Sequence, residues 1–183
     1  MSLLLRTTAL TLAALGLAST QVRAEDPRFG VQASANIPNG DLKDAVDNKL
    51  GVGGGAHFTF DLGDGHMVRP RIDYIFFPEA TISAIRNKVN ELSLGADYLY
   101  FLEGKPLGLY FTGGLSFNRW KADVTKAGVT SSDSSSKPGF ALGAGYNFNA
   151  SFGAEVRFTG SKYSVGSKDF SANALQAGVT LRF

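Results

Sequence analysis

The 183-residue sequence contains no cysteine, which excludes a disulfide framework, a thiolate-bound metal and a cysteine nucleophile together. Histidine is nearly as scarce. His57 and His66 are the only two, so a histidine metal site or general base has few places to form. A dominant charge is missing as well: 18 lysines and arginines stand against 16 aspartates and glutamates, and so balanced a chain lacks the basic field that nucleic-acid binding uses. No apolar run reaches the roughly 18 residues that a membrane-crossing helix requires.

The longest apolar stretch lies at the start. Arg6 closes a basic leader, residues 7–20 (TTALTLAALGLAST) form an apolar core, and Val22 and Ala24 occupy the small-residue positions of a cleavage site. This pattern predicts an export signal over residues 1–24 and a mature chain over 25–183. Cleavage would remove Arg6 and Arg23 and no acidic residue, leaving 16 basic against 16 acidic side chains. The mature part has the length of one domain.

What is abundant points to β structure: 22 glycines and 14 phenylalanines. Eight segments alternate apolar and polar residues, at about 28–37, 52–62, 67–77, 88–101, 108–119, 139–148, 152–161 and 172–183. Residues 63–66, 102–108 and 149–151 connect them tightly, whereas 38–51, 78–87, 121–139 and 162–171 are long connections, and the two kinds take turns. An antiparallel up-and-down meander with all its tight turns at one end has this rhythm. An even strand number with both termini at the tight-turn end predicts an all-β, eight-stranded transmembrane barrel.

Alternation leaves open which face points inward. One parity carries Phe58, Phe60, Ile72, Tyr74, Leu92, Leu94, Phe111, Leu115, Phe140, Leu142, Leu175 and Val179; the other carries Asp61, Arg69, Arg71, Asp73, Glu91, Asp97, Glu155, Arg157 and Arg182 together with many glycines. A soluble barrel would bury the first set, and a membrane barrel the second. Glycine is a poor choice for a solvated strand face but suits a crowded bore. The charges of the second set are balanced and mostly arginine with carboxylate, and aromatic residues of the first set gather toward strand ends, as in membrane girdles. The nine charged residues are therefore expected to form an ionic network inside the barrel. Pro70 departs from the pattern and is expected near the periplasmic rim or at a bulge.

The alternation runs to the last residue, in ALQAGVTLRF. With this ending and the eight-strand plan, the chain resembles the eight-stranded outer-membrane barrels that include the OmpA-type, OmpW-type and opacity-protein-like porins. GDLKD followed by the glycine-spaced GAHFTF is also similar to members of that family. The resemblance implies residence in the outer membrane of a Gram-negative envelope and a role for Phe183 in the signal read by the barrel assembly machinery. No peptidoglycan-binding domain is expected after the barrel.

The candidate chemistry is thin. Some barrels of this family modify lipid A with a histidine beside a serine or aspartate, but His57 falls mid-strand on the polar face and His66 in a tight turn, so no enzyme is expected. In DLKDAVDNK the carboxylates of Asp41, Asp44 and Asp47 recur every three residues, which suits a solvated helical turn and not a calcium loop with alternate ligands and a central glycine. GVGGGAH opens a strand, whereas phosphate-binding glycine loops precede a helix. SSDSSSKPG is expected to be a mobile polar tip. No metal or cofactor is expected. The expected partners are outer-membrane lipid and lipopolysaccharide and the assembly machinery, with no nucleic acid, and the chain is expected to be a monomer. Three roles remain open: a structural or surface-exposed barrel with long outer loops, a narrow porin for small solutes, apolar ones included, and a soluble periplasmic ligand-binding barrel.

Overall fold

A computed structural model describes residues 28–82, 84–165 and 168–183; the expected export signal lies outside the described residues. Eight antiparallel strands follow one another in chain order: β1 (Arg28–Asn39), β2 (Gly51–Gly63), β3 (His66–Ile82), β4 (Ile85–Phe101), β5 (Gly108–Lys126), β6 (Val129–Asn147), β7 (Phe152–Val165) and β8 (Lys168–Arg182). One short helix, α1 (Asp41–Ala45), follows β1. The sheet closes into a barrel by pairing β1 with β8, from Gly30 opposite Arg182 to Asn39 opposite Asn173. Closure gives every strand two neighbours around the ring, the condition for backbone amides to lie in hydrocarbon.

The tight turns have local causes. Between β2 and β3, Asp64 and Gly65 both take positive φ, the two-residue turn whose twist matches the flanking strands and for which Asp-Gly is favoured. Ala127 and Gly128 do the same between β5 and β6. Here the structure corrects the sequence-based boundaries. Residues 121–139, expected as a long loop, continue as paired strand with Lys126 opposite Val129, and the serine-rich SSDSSSKPG stretch forms a ladder with β5 instead of a mobile tip. Residues 78–87 are also mostly paired, up to Ile82 opposite Ile85. Polar, low-complexity composition hid these extensions because their hydrogen bonds come from the neighbouring strand and not from their own side chains.

Strand length therefore varies around the ring. β1 and β2 have 12 and 13 residues, β3 and β4 have 17 each, and β5 and β6 have 19 each. About 9–11 tilted residues cross a bilayer, so β3 to β6 rise well beyond it at the end that carries the β5–β6 turn. The wall is low at β1 and β2, and α1 sits in that gap, turning Leu42 and Val46 inward.

The parity assignment decides which residues face hydrocarbon. Leu94, Leu115, Leu142, Phe117 and Tyr74 are exposed on the outer face, while Arg69, Arg71, Asp73, Asp97, Glu155 and Arg157 are buried inside. Aromatic rings cluster at the tight-turn end, where Phe29 lies 5.4 Å from Phe58 and stacks on Phe183 at 6.2 Å, and Phe148 stacks on Phe152 at 5.4 Å. No bulge occurs at Pro70. Instead, the β2–β3 ladder is interrupted there, between the His57–Arg71 and Phe60–Val68 pairs, while pairing with β4 continues through Ala96. The missing N–H of proline is accommodated by that interruption.

Candidate functional site in the bore and at its mouth

Inward residues of β3, taken from the tight-turn end outward, are Met67, Arg69, Arg71, Asp73, Ile75 and Phe77, all buried. This row cuts the interior into three layers. At the end that carries Phe29 and Phe183, Met67, Leu99, Phe101 and Tyr110 form an apolar floor. The middle is ionic. At the outer end Leu42, Val46, Ile75, Phe77, Val89, Trp120 and Ala172 form a second apolar cluster.

The ions of the middle layer come from three strands, β3, β4 and β7. Asp97 Oδ2 receives Arg69 at 2.8 Å, Arg71 at 2.9 Å and Arg157 at 3.3 Å. Glu155 receives Arg69 at 2.7 Å and the Tyr110 hydroxyl at 2.9 Å. Asp73 receives Arg71 through Nε at 2.6 Å and Nη2 at 3.0 Å, and Gln32 and Arg157 also reach it. Three arginines face three carboxylates, so the layer is neutral. A Cβ on Gly114 would collide with the Asp97 carboxylate, and one on Gly145 with the Tyr110 ring. The glycines of the polar parity are thus the space that the network occupies.

Of the nine charged residues expected inside, six meet in this layer. Three do not, for separate reasons. Asp61 sits near the end of β2 and accepts the amide of Gly63 at 2.8 Å; it shapes the turn and makes no ion pair with the arginines of the layer among the described residues. Arg182 donates to Asn147 Oδ1 at 2.8 Å and to the carbonyls of Asn149 and Ala150, so it braces the β6–β7 turn. Glu91 is buried but has no ion pair among the described residues, and it faces a recess of about 30 Å³ together with Ser93, Asn118 and Arg157. Sequence parity placed all three correctly side to side but carried no information on height along the bore.

Recesses beside the network are small. One of about 20 Å³ lies below it among His57, Arg69 and Arg182, and one of about 10 Å³ lies beside Gln32, Arg71 and Gln176. Such volumes suit single waters, since one probe-sized site needs about 10–15 Å³. His57 is buried with both ring nitrogens lacking a protein partner among the described residues. His66 contacts the Tyr98 hydroxyl at the tight-turn end. Neither is hydrogen-bonded to a serine or aspartate, and no cluster of metal-ligating side chains occurs among the described residues.

At the mouth, α1 is latched to β8. The Asp41 carboxylate accepts the Ser171 amide at 2.7 Å and the Ser171 hydroxyl at 2.9 Å. These two bonds hold the Asp41 carboxyl below its usual pKa. The latch contributes stability above the ordinary carboxylate range, and it is lost as the pH falls through the lowered value. The helix expected to be solvated is therefore only half so, with Leu42 and Val46 in the outer cluster.

The profile of the outer membrane protein beta-barrel domain family matches residues 9–183. The structure is similar to the N-terminal β-barrel domain of Pseudomonas aeruginosa OprF, with TM-score 0.63 and 15% identity over 88% of this chain and 100% of that one. It is similar to Neisserial surface protein A, with TM-score 0.62 and 15% identity over 87% of this chain and 99% of that one. It is also similar to the attachment invasion locus protein Ail of Yersinia pestis, with TM-score 0.61 and 14% identity over 86% and 97%. No curated protein sequence matches the chain.

Proposed function

This chain belongs to the outer membrane protein beta-barrel domain family, and from that premise we propose that it is a non-conducting structural barrel that presents its tall outer wall to the surroundings of the cell. The observation that carries this reading is the neutral layer of Arg69, Arg71, Arg157, Asp73, Asp97 and Glu155 across the bore. An ion entering it would have to displace a partner of a buried pair, and the floor of Met67, Leu99, Phe101 and Tyr110 adds a second barrier below. The purified barrel in a planar bilayer is expected to give no steady conductance. A stable ohmic current at neutral pH would overturn the structural reading in favour of a narrow porin.

The outer face supports direct contact with lipid and with the acyl chains of lipopolysaccharide. Phe183 closes the seam at the other end: its amide donates to the Phe29 carbonyl at 2.9 Å and its ring stacks on Phe29. We assign it to recognition by the assembly machinery as well. Deleting Phe183 is expected to reduce the amount of heat-modifiable folded barrel recovered from cells severalfold. Refolding of the purified variant into lipid vesicles, where no machinery is present, is expected to fall much less. Equal losses in the two assays would reduce Phe183 to a seam contact.

A further inference from the structure

The outer layer is hollow. A cavity of about 380 Å³ lies between α1 and the tall wall, lined by Leu42, Val89, Trp120, Val124, Tyr163 and Phe170 among others. Its volume falls within the roughly 300–1,000 Å³ range of small-molecule sites, which combine an apolar lining with a few convergent polar groups. Ile75, Phe77 and Trp120 pack beneath it and the ionic layer lies deeper, so the cavity is blind.

Its charged groups have one sign. Asp41 and Asp133 line it, and no lysine or arginine does. Asp41 uses one carboxylate oxygen for Ser171, and Asp133 uses Oδ1 for the Ser134 amide, which leaves each with a second oxygen. Lysines on the neighbouring strands are engaged elsewhere: Lys121 with Asp123 at 3.3 Å and Lys137 with Asp169 at 3.5 Å. The Trp120 indole N–H is already donated to Ser161 at 2.9 Å. The Tyr163 hydroxyl is buried and has no hydrogen-bond partner among the described residues. Its pKa is raised by burial and by the carboxylates of Asp133 and Asp123, so the negative field extends to this oxygen.

We propose that this cavity binds a small amphipathic amine, with its apolar body against Val89, Trp120 and Val124 and its ammonium group at the carboxylates of Asp133 and Asp41. A neutral apolar solute would leave the carboxylates unused, and an anion would meet them at close range. An ammonium donates to a carboxylate and offsets its charge. The site requires no passage through the bore, so it stands or falls separately from the absence of conductance.

Trp120 is the only tryptophan of the chain, and its fluorescence reports on the cavity directly. The full barrel in lipid nanodiscs would be titrated with 4-phenylbutylamine, 4-phenylbutanol and 4-phenylbutyrate, which share one apolar body. The amine is expected to give a saturable change in Trp120 emission with affinity about threefold to fivefold above that of the alcohol, in line with an exposed ion pair, and the carboxylate is expected to bind weakest. Asp133→Asn should reduce that preference severalfold and leave the response to the alcohol unchanged. Partition into lipid is the same for all variants and cancels. Equal affinities for the three probes, a preference untouched by Asp133→Asn, or no saturable response to any probe would each overturn the proposal.

Discussion

Replacing Asp97 with alanine is expected to lower the stability of the inserted barrel by about 3–5 kcal/mol, the usual cost of removing one partner from a buried ionic cluster. Asp97 is the point where Arg69, Arg71 and Arg157 converge on one oxygen. Without it the bore holds three guanidinium groups against two carboxylates, and the arginines keep their desolvation penalty while losing their shared acceptor. Denaturant unfolding in lipid vesicles, followed by the mobility difference between boiled and unboiled protein, measures the loss. Insertion itself should survive, because the outer face is unchanged. Glu91→Gln provides the comparison: Glu91 has no ion pair among the described residues, so its neutral isostere should shift the unfolding midpoint far less. If both variants unfolded alike, the ionic layer would not be what holds the bore together.

The opposite error, a charge on the outer face, should be comparably damaging for a different reason. Leu94 is 64% exposed and lies between Leu92 and Ala96, above the ring pair Tyr98 and Tyr100 of the same strand. Leu94→Arg places a guanidinium in hydrocarbon, where neither water nor a carboxylate can meet it, at about 2–4 kcal/mol near the midplane and less toward either interface. Refolding into bilayers should drop accordingly. The decisive contrast is the solvent. In detergent micelles, which deform around a polar group more readily than a bilayer, the loss should shrink, whereas the Asp97→Ala defect should persist because it lies inside the protein. A bilayer-independent Leu94→Arg defect would imply that this face packs against protein.

Both predictions rest on parity, and parity was legible in the sequence because it is a property of single strands. Successive side chains of an extended chain point to opposite faces whatever surrounds them. Arg69, Arg71 and Asp73 alternating with Pro70 and Ile72 therefore announced two faces, and glycine on the charged parity announced which face was crowded. The order of strands was legible for a similar reason: tight connections force neighbouring strands to pair as hairpins, and Asp64 with Gly65 marks one such turn by residue type alone.

Other features were not local. Arg69 meets Glu155 across 86 positions of sequence, and whether two inward residues share a height depends on the register accumulated around the closed ring. Thus Asp61 and Arg182 have the right parity and lie at the wrong height, each serving a turn, while Glu91 lies above the cations. The serine-rich half of the β5–β6 hairpin is strand only because β5 stands beside it to accept and donate its backbone hydrogen bonds. The sequence by itself determined the strand count, the alternation of faces and the membrane character of the outer one, since each follows from short-range spacing. Only the tertiary structure decided the three layers of the interior. The inward row of Met67, Arg69, Arg71, Asp73, Ile75 and Phe77 changes from apolar to ionic and back, and neither its closure at the middle nor its hollow at the mouth exists until eight strands bring their own rows to the same level.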